Sequence, residues 1–339
     1  MTRGRSLGII LLGLPGILIL TLFLFGLPIV ESLKLIIQGA FGDQFGWSRT
    51  AVKTTPLLLT GLGMVVAWRS GVFNIGGEGQ FVMGALFGAT FAKFSSLSGP
   101  AMLAGILLSC LFGGALWASV AGWLYTKRGV EVVISTILLN FIAIQVLSWA
   151  VSGPLQESKH QLLLTDTLPE SSMLPKLNRQ MDVNLGLVIG LLMAAILFVY
   201  LFRSNGGFLL RLSGANPRVA RANRINTAKT QMIAMGISGG LCGLAGGIEY
   251  TGIAGQLGQG FAQGWGFLGI PVALLGMLHP LATVASAVYF GALFAGSENL
   301  ARFSASGTTL VYVIQAMAVL GYVALRRWAE RIPLPVESE

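Results

Sequence analysis

An all-α fold with many membrane spans is predicted by three features of this 339-residue sequence. Hydrophobic residues make up 54% of the chain and charged residues only 10%, against roughly 25% charged in a soluble domain. Apolar runs of about 18 or more residues recur along its length, each long enough for a helix to cross a hydrocarbon layer of about 30 Å. No period-two alternation of apolar and polar residues accompanies them, which argues against a membrane barrel.

About ten spans are expected, at roughly 8–31, 54–69, 73–93, 100–125, 130–151, 184–202, 230–251, 264–278, 280–298 and 308–326. The first run, Leu7 to Val30, follows Arg3 and Arg5. It exceeds the roughly 7–15 apolar residues of a signal peptide, and no small-residue cleavage pattern follows it, so it reads as a retained span. The third and eighth spans begin with glycine-rich stretches and are candidates for broken or re-entrant helices. Cys110 and Cys242 fall inside apolar runs and read as core packing.

The net charge of +9 is a topology signal. Arg3, Arg5, Arg69, Lys127, Arg128, Arg326, Arg327 and Arg331 stand beside span ends, and Arg203, Arg211, Arg218, Arg221, Arg224 and Lys229 share one loop. Placing all of them on the cytoplasmic side satisfies the positive-inside rule and puts both termini there. No basic–aromatic pattern points to nucleic acid.

The whole chain, 1–339, is expected to form a single transmembrane domain. One long loop, 152–183, lies outside; it is polar and carries Pro154, Pro169 and Pro175. The other, 203–229, lies inside. A weak internal repeat relates spans two to five, about 53–151, to spans seven to ten, about 229–327. Lys53-Thr54-Thr55 opens one unit and Lys229-Thr230 the other; FNIGGEG from Phe73 is matched by FAQGWGF from Phe261. Because one span intervenes, the two four-helix units run in opposite directions, the inverted arrangement many transporters use. Chance similarity between such short anchors is the alternative.

Catalytic groupings are scarce. No H-E-x-x-H occurs, His160 and His279 stand alone, and no G-x-x-x-x-G-K-[ST] is present. Any ATP that drives the protein is therefore hydrolysed by another polypeptide. Intramembrane polar residues are the remaining candidates, because an ionisable group in a span usually faces protein or a water-filled cavity. In FNIGGEGQFVMGA, Gly76, Gly77 and Gly79 allow the backbone to unwind or a neighbouring helix to approach. Asn74, Glu78 and Gln80 stand ready for the amides so freed, and two readings of Glu78 stay open. It lines a translocation path, or it caps the helix that follows. Asn140 and Gln145 in span five and Gln315 in span ten occupy corresponding places in the two units, which makes them pore-lining candidates; interhelical hydrogen bonding is the alternative for each.

In the inner loop, SGANPRVARANRINTAKT from Ser213, Asn216 is a good N-cap and Pro217 a good first helical residue. Arg218, Arg221 and Arg224 then recur every three residues, along one side of the helix. Only Val219 and Ile225 offer apolar bulk for a lipid surface, so a protein groove is the better partner.

FNIGGEGQFVMGA, followed by GANPRVARANRIN, resembles the permease subunits of ABC importers for ribose-type sugars and nucleosides. The resemblance covers nearly the whole chain, and TLPESSMLPKL from Thr167 is closer to the nucleoside branch. It implies a fold similar to that of the cobalamin-type importers and a dimer of permeases, of the same chain or a paralogue, with the path at their interface. It also implies a partner ATPase that binds ATP and Mg, with no cofactor in this chain, and a binding protein that delivers solute from outside. The ATPase would receive a coupling helix that maps onto Asn216–Asn226. The bacterial cytoplasmic membrane is the implied location. Where the nucleoside branch more often has a bulky residue in N-I-G-x-E-G-Q, this chain has Gly77. Ribose-type sugars and flavin-like rings are rival solutes, and an ion-coupled secondary transporter is the alternative of another class.

Overall fold

The computed structural model describes residues 15–303 apart from 179, together with 13, 310, 312–314, 316–318, 320–322 and 324–325. Among the described residues the regular structure is helical, with β pairing limited to isolated bridges, Leu164 with Gly258 and Lys176 with Asn184. In chain order the helices are α1 (Pro15–Leu24), α2 (Ile29–Phe41), α3 (Gln44–Arg69), α4 (Gly77–Phe94), α5 (Gly99–Arg128), α6 (Val132–Val151), α7 (Leu185–Arg203), α8 (Asn205–Ala215), α9 (Pro217–Ala222), α10 (Thr227–Glu249), α11 (Trp265–Leu275) and α12 (Pro280–Phe303). A π-helical turn, Tyr250–Ala254, continues α10.

Six helices among the described residues are long and apolar enough to cross a membrane: α3, α5, α6, α7, α10 with its π turn, and α12. The expected eighth span is instead the 11-residue α11, which rises only about 16 Å, half a hydrocarbon layer. The tenth falls largely outside the described residues. The first does not run unbroken to 31: Gly26 turns the chain with φ +65 after α1, and α2 starts after Pro28. The stretch expected as a loop before span two holds α2 and the first turns of α3. Pro56, expected near the start of that span, lies inside α3. Its missing amide leaves the Val52 carbonyl without its partner within the helix, which membrane helices tolerate where neighbouring groups serve the backbone.

The backbone divides into two compact units, 51–291 and a second made of 1–50 with 292–339. Within the first, α10 is 72% buried while α5, α6 and α7 are only 33%, 33% and 28% buried. This gradient sorts the helices: α4 and α10 form the interior, and the other three present Leu108, Phe112, Ile134, Leu138, Leu192 and Ile196 outward, as lipid-facing helices do. Without a hydrophobic force between helices in lipid, close packing of small residues supplies cohesion. Gly243 of α10 is the contact point, since a Cβ at Gly114 of α5 would stand 2.7 Å from its Cα and one at Gly84 of α4 2.8 Å from its carbonyl carbon. In the second unit, the Asn299 amide donates to the Leu35 carbonyl at 2.9 Å, and Thr50 donates to Ala40 at 2.9 Å.

The 152–183 loop is stitched by main-chain bonds to the segment after α10. Thr165 donates to Leu257 at 2.9 Å, Leu168 to Gly255 at 2.9 Å and Leu174 to Thr251 at 2.9 Å.

Candidate functional site

The backbone leaves helical geometry between Arg69 and Gly77, and the side chains of Asn74 and Gln80 help to hold that break. Asn74 is fully buried. Its amide donates to Gln80 Oε1 at 3.0 Å and to Ser238 Oγ of α10 at 2.9 Å. Its Oδ1 accepts the Gly76 amide at 2.8 Å and the Gln80 side-chain amide at 3.0 Å. Trp68 donates from Nε1 to the Asn74 carbonyl at 3.0 Å.

From α6, Asn140 closes the other side. Its Oδ1 accepts the Gly79 amide at 2.8 Å and its Nδ2 donates to the Ile75 carbonyl at 3.0 Å. Thr136, one turn earlier on the same face, accepts the Ile75 amide at 3.3 Å. A buried backbone group left without a partner costs about 1–3 kcal/mol, so these side chains stabilise a conformation the helices alone would not keep.

Glu78 lies in the first turn of α4, yet its carboxylate serves a different helix. Oε1 accepts the Gly264 amide and Oε2 the Gly266 amide, each at 2.8 Å. Those amides open α11, whose positive dipole end favours an anion. Backbones approach closely here: a Cβ at Gly77 would stand 2.8 Å from the Gly266 carbonyl oxygen. Phe81 stacks on Phe261 at 5.3 Å. The two glycine-rich segments, FNIGGEG and FAQGWGF, therefore lie against each other.

Asn74, Glu78, Gln80 and Asn140 are thus all buried around the break: Asn74 and Gln80 bond each other, while Glu78 and Asn140 bond backbone groups. Gln145 does not join it; it is exposed on the outward face of α6 with Phe141, Ile142 and Trp149. Gln315 lies outside the described residues. Sequence reasoning missed Ser238 and Thr136. The four-residue spacing of Thr136 from Asn140 was a usable signal, whereas Ser238 gave none.

In the 203–229 loop, α8 is an addition to the expected helix, and the helix expected over 216–226 is the shorter α9. Asn216 caps it, its Oδ1 accepting the Val219 amide at 3.1 Å, and Pro217 is its first residue. Arg218 and Arg221 are exposed, and only Ala220 of the helix is buried. Arg224 does not continue the row. It has left the helix and sits in left-handed geometry with φ +58, because the chain turns there: Ile225 donates to the Ala220 carbonyl at 3.0 Å and Arg224 to that of Arg221 at 2.9 Å. Asn226 then caps α10 by accepting the Lys229 amide at 3.0 Å.

The helix α9 is thus a short exposed helix between α8 and α10. Known proteins similar to this chain are permeases. A family model described as the permease component of branched-chain amino acid transport systems matches residues 46–323. A guanosine ABC transporter permease of Bacillus subtilis is 31% identical over 303 residues, 87% of this chain and 86% of the relative. A glucose ABC transporter permease of Haloferax volcanii is 29% identical over 306 residues, 87% of this chain and 78% of the relative. A nucleoside ABC transporter permease of Lactococcus lactis is 26% identical over 320 residues, 89% and 85% of the two chains. This chain, a multi-span helical membrane protein, belongs to the branched-chain amino acid transport system permease family.

Proposed function

We propose that this permease subunit of an ABC importer carries nucleosides. The observation behind the importer mechanism is α9, an exposed, capped helix that offers Arg218 and Arg221 and buries only Ala220. A partner ATPase that binds ATP and Mg receives this helix, with Asn216, Pro217 and Arg224 shaping its two ends. Closure of the ATPase pushes on α9 and reorients the spans in alternating access. A second permease, a copy or a paralogue, completes the path, and an extracytoplasmic binding protein delivers solute. The proposed setting is the bacterial inner membrane, with both termini cytoplasmic and the 152–183 loop outside. About ten spans in two inverted units, on a fold like that of the cobalamin importers, complete the proposal.

Support for nucleosides comes from the guanosine and nucleoside relatives. Because Asn74, Glu78, Gln80 and Asn140 spend their polar groups on one another and on backbone, they frame the path, whereas Gln145, on the outward stripe of α6, meets solute where the second permease covers that stripe. The glucose relative supports a second reading, a simple sugar as solute.

Vanadate-sensitive uptake of labelled adenosine, with unlabelled ribose as competitor, in cells carrying or lacking this chain tests the proposal. Chain-dependent, vanadate-blocked uptake that ribose does not compete away is the expected result. Uptake competed by ribose moves the solute to sugars, and uptake abolished by collapsing the proton gradient but indifferent to vanadate overturns the ATP-driven mechanism.

A further inference from the structure

The junction between α11 and α12 ties the 203–229 loop to the helix that Glu78 caps. Phe202, in the last turn of α7, lies beneath two guanidinium groups, with Arg69 Cζ 5.1 Å and Arg211 Cζ 4.9 Å from its ring centroid. His279 packs against the same ring, 5.1 Å between centroids, and against Phe198 at 5.6 Å. Partial burial, and then the Arg69 charge, hold its imidazole below the usual range.

Arg69 also donates from Nε to the carbonyl of Leu278. Gly214, near the end of α8, meets the turn after Arg69 backbone to backbone: a Cβ there would stand 2.7 Å from the Gly71 nitrogen and 2.8 Å from the Ser70 carbonyl carbon. The turn itself needs Gly71, whose φ is +82. So α8, which leads straight into the cap of α9, is keyed to Arg69, and Arg69 holds the end of α11.

Backbone strain lies along the same line. The cap ending α11 has Leu278 donating to Ala273 and Met277 to Leu274, each at 2.9 Å. That motif places a left-handed residue where glycine is preferred, yet Met277 and Leu278 have φ +51 and +53. The cap ending α9 has the same pattern with Arg224. Strained residues of this kind persist where their surroundings over-determine them, and they cluster at switch regions.

We propose that Phe202, clamped by Arg69 and Arg211 and stacked on His279, is the positioning residue that carries displacement of α9 into α11. The inference rests on reading this chain as an ATP-driven permease. Movement of α9 shifts α8, Arg211 and Gly214 move with it, and Arg69 and His279 pass the motion to the 277–279 turn. Since α11 is held at its other end by Glu78, the motion arrives at the break between α3 and α4.

Hydrogen exchange of the chain assembled with its ATPase subunits, with and without ATP and vanadate, tests this without reference to any solute. In the wild type both α9 and α11 amides change exchange rate on trapping. Phe202→Leu, which keeps bulk but loses the π face that holds the cations, keeps the α9 change and loses at least five-fold of the α11 change; Phe202→Tyr retains both. An α11 response in Phe202→Leu equal to wild type overturns the proposal, as does a wild type in which α9 responds and α11 does not. A wild type in which α9 itself does not respond overturns the underlying permease mechanism instead. Should Phe202→Leu fail to assemble, Arg211→Gln is measured in the same way: loss of the α11 change supports the proposal, and a wild-type α11 change overturns it.

Discussion

The carboxylate of Glu78 closes the N-terminus of a helix other than its own, Oε2 accepting the Gly266 amide at 2.8 Å. Glu78→Ala leaves that amide and the Gly264 amide buried without an acceptor, and is expected to destabilise the protein by about 2–4 kcal/mol. Glu78→Gln keeps one acceptor oxygen and costs about half as much. Thermal unfolding in detergent measures both. A variant that loses uptake with its melting temperature unchanged would instead make Glu78 a solute contact.

Asn140 and Gln145 stand five residues apart on α6 and are expected to behave oppositely. Asn140→Leu strands the Gly79 amide and the Ile75 carbonyl, a loss of about 2–3 kcal/mol. Gln145→Leu, on the open face, leaves stability within about 0.5 kcal/mol. Any effect of that second substitution is expected in the apparent affinity for solute, read from the concentration dependence of uptake.

Met277 and Arg224 each occupy the left-handed cap position that glycine fills at Gly26 and Gly71. Left-handed geometry costs an L-residue about 1–2 kcal/mol, partly offset by the greater unfolded-state freedom of glycine. Met277→Gly and Arg224→Gly are each expected to stabilise by about 0.5–1 kcal/mol. A fall in melting temperature for either would show that the side chain, not the backbone, sets the energy there.

Asp166 organises the 152–183 loop, its Oδ1 accepting the Ser158 amide at 2.8 Å and the Ser158 hydroxyl at 3.0 Å. The Ser158 amide, foremost, holds its carboxyl below the ordinary aspartate value. A depressed folded value means the contribution to loop order is complete above the ordinary aspartate value of about 3.9 and is lost as pH falls below it. Protease sensitivity of 157–166 is therefore expected to be flat from neutral pH to about 4 and to rise below that. In Asp166→Ala it is high throughout.

Much of this was legible in the residues. Long apolar runs gave the helices, Asn216-Pro217 gave α9, and the polar residues Asn74, Glu78 and Gln80 among Gly76, Gly77 and Gly79 marked the break. Three things were not. The start of α3 was hidden because Pro56 resembles a helix start when read locally, although buried proline is tolerated once neighbours serve the backbone. The shortness of α11 was hidden because composition reports apolarity, not where a chain turns, and Met277 in left-handed geometry carries no sequence signature. The true partner of Glu78 was hidden because a capping carboxylate looks the same whether it serves its own helix or one nearly two hundred residues away. Only the juxtaposition of Gly77 and Gly266 decides between them.

The amides of Thr165, Leu168 and Leu174 donate to the carbonyls of Leu257, Gly255 and Thr251, and the Thr165 hydroxyl accepts the Leu257 amide in return at 2.9 Å. The peptide-to-peptide bonds of the seam do not depend on the identity of the exposed residues between them. Substitutions at the exposed positions 166, 167, 169, 170 and 171 therefore alter what the loop displays, while the buried Thr165, Leu168, Ser172 and Leu174 fix where it is displayed. What the loop presents at its exposed positions can thus change while the scaffold beneath stays constant.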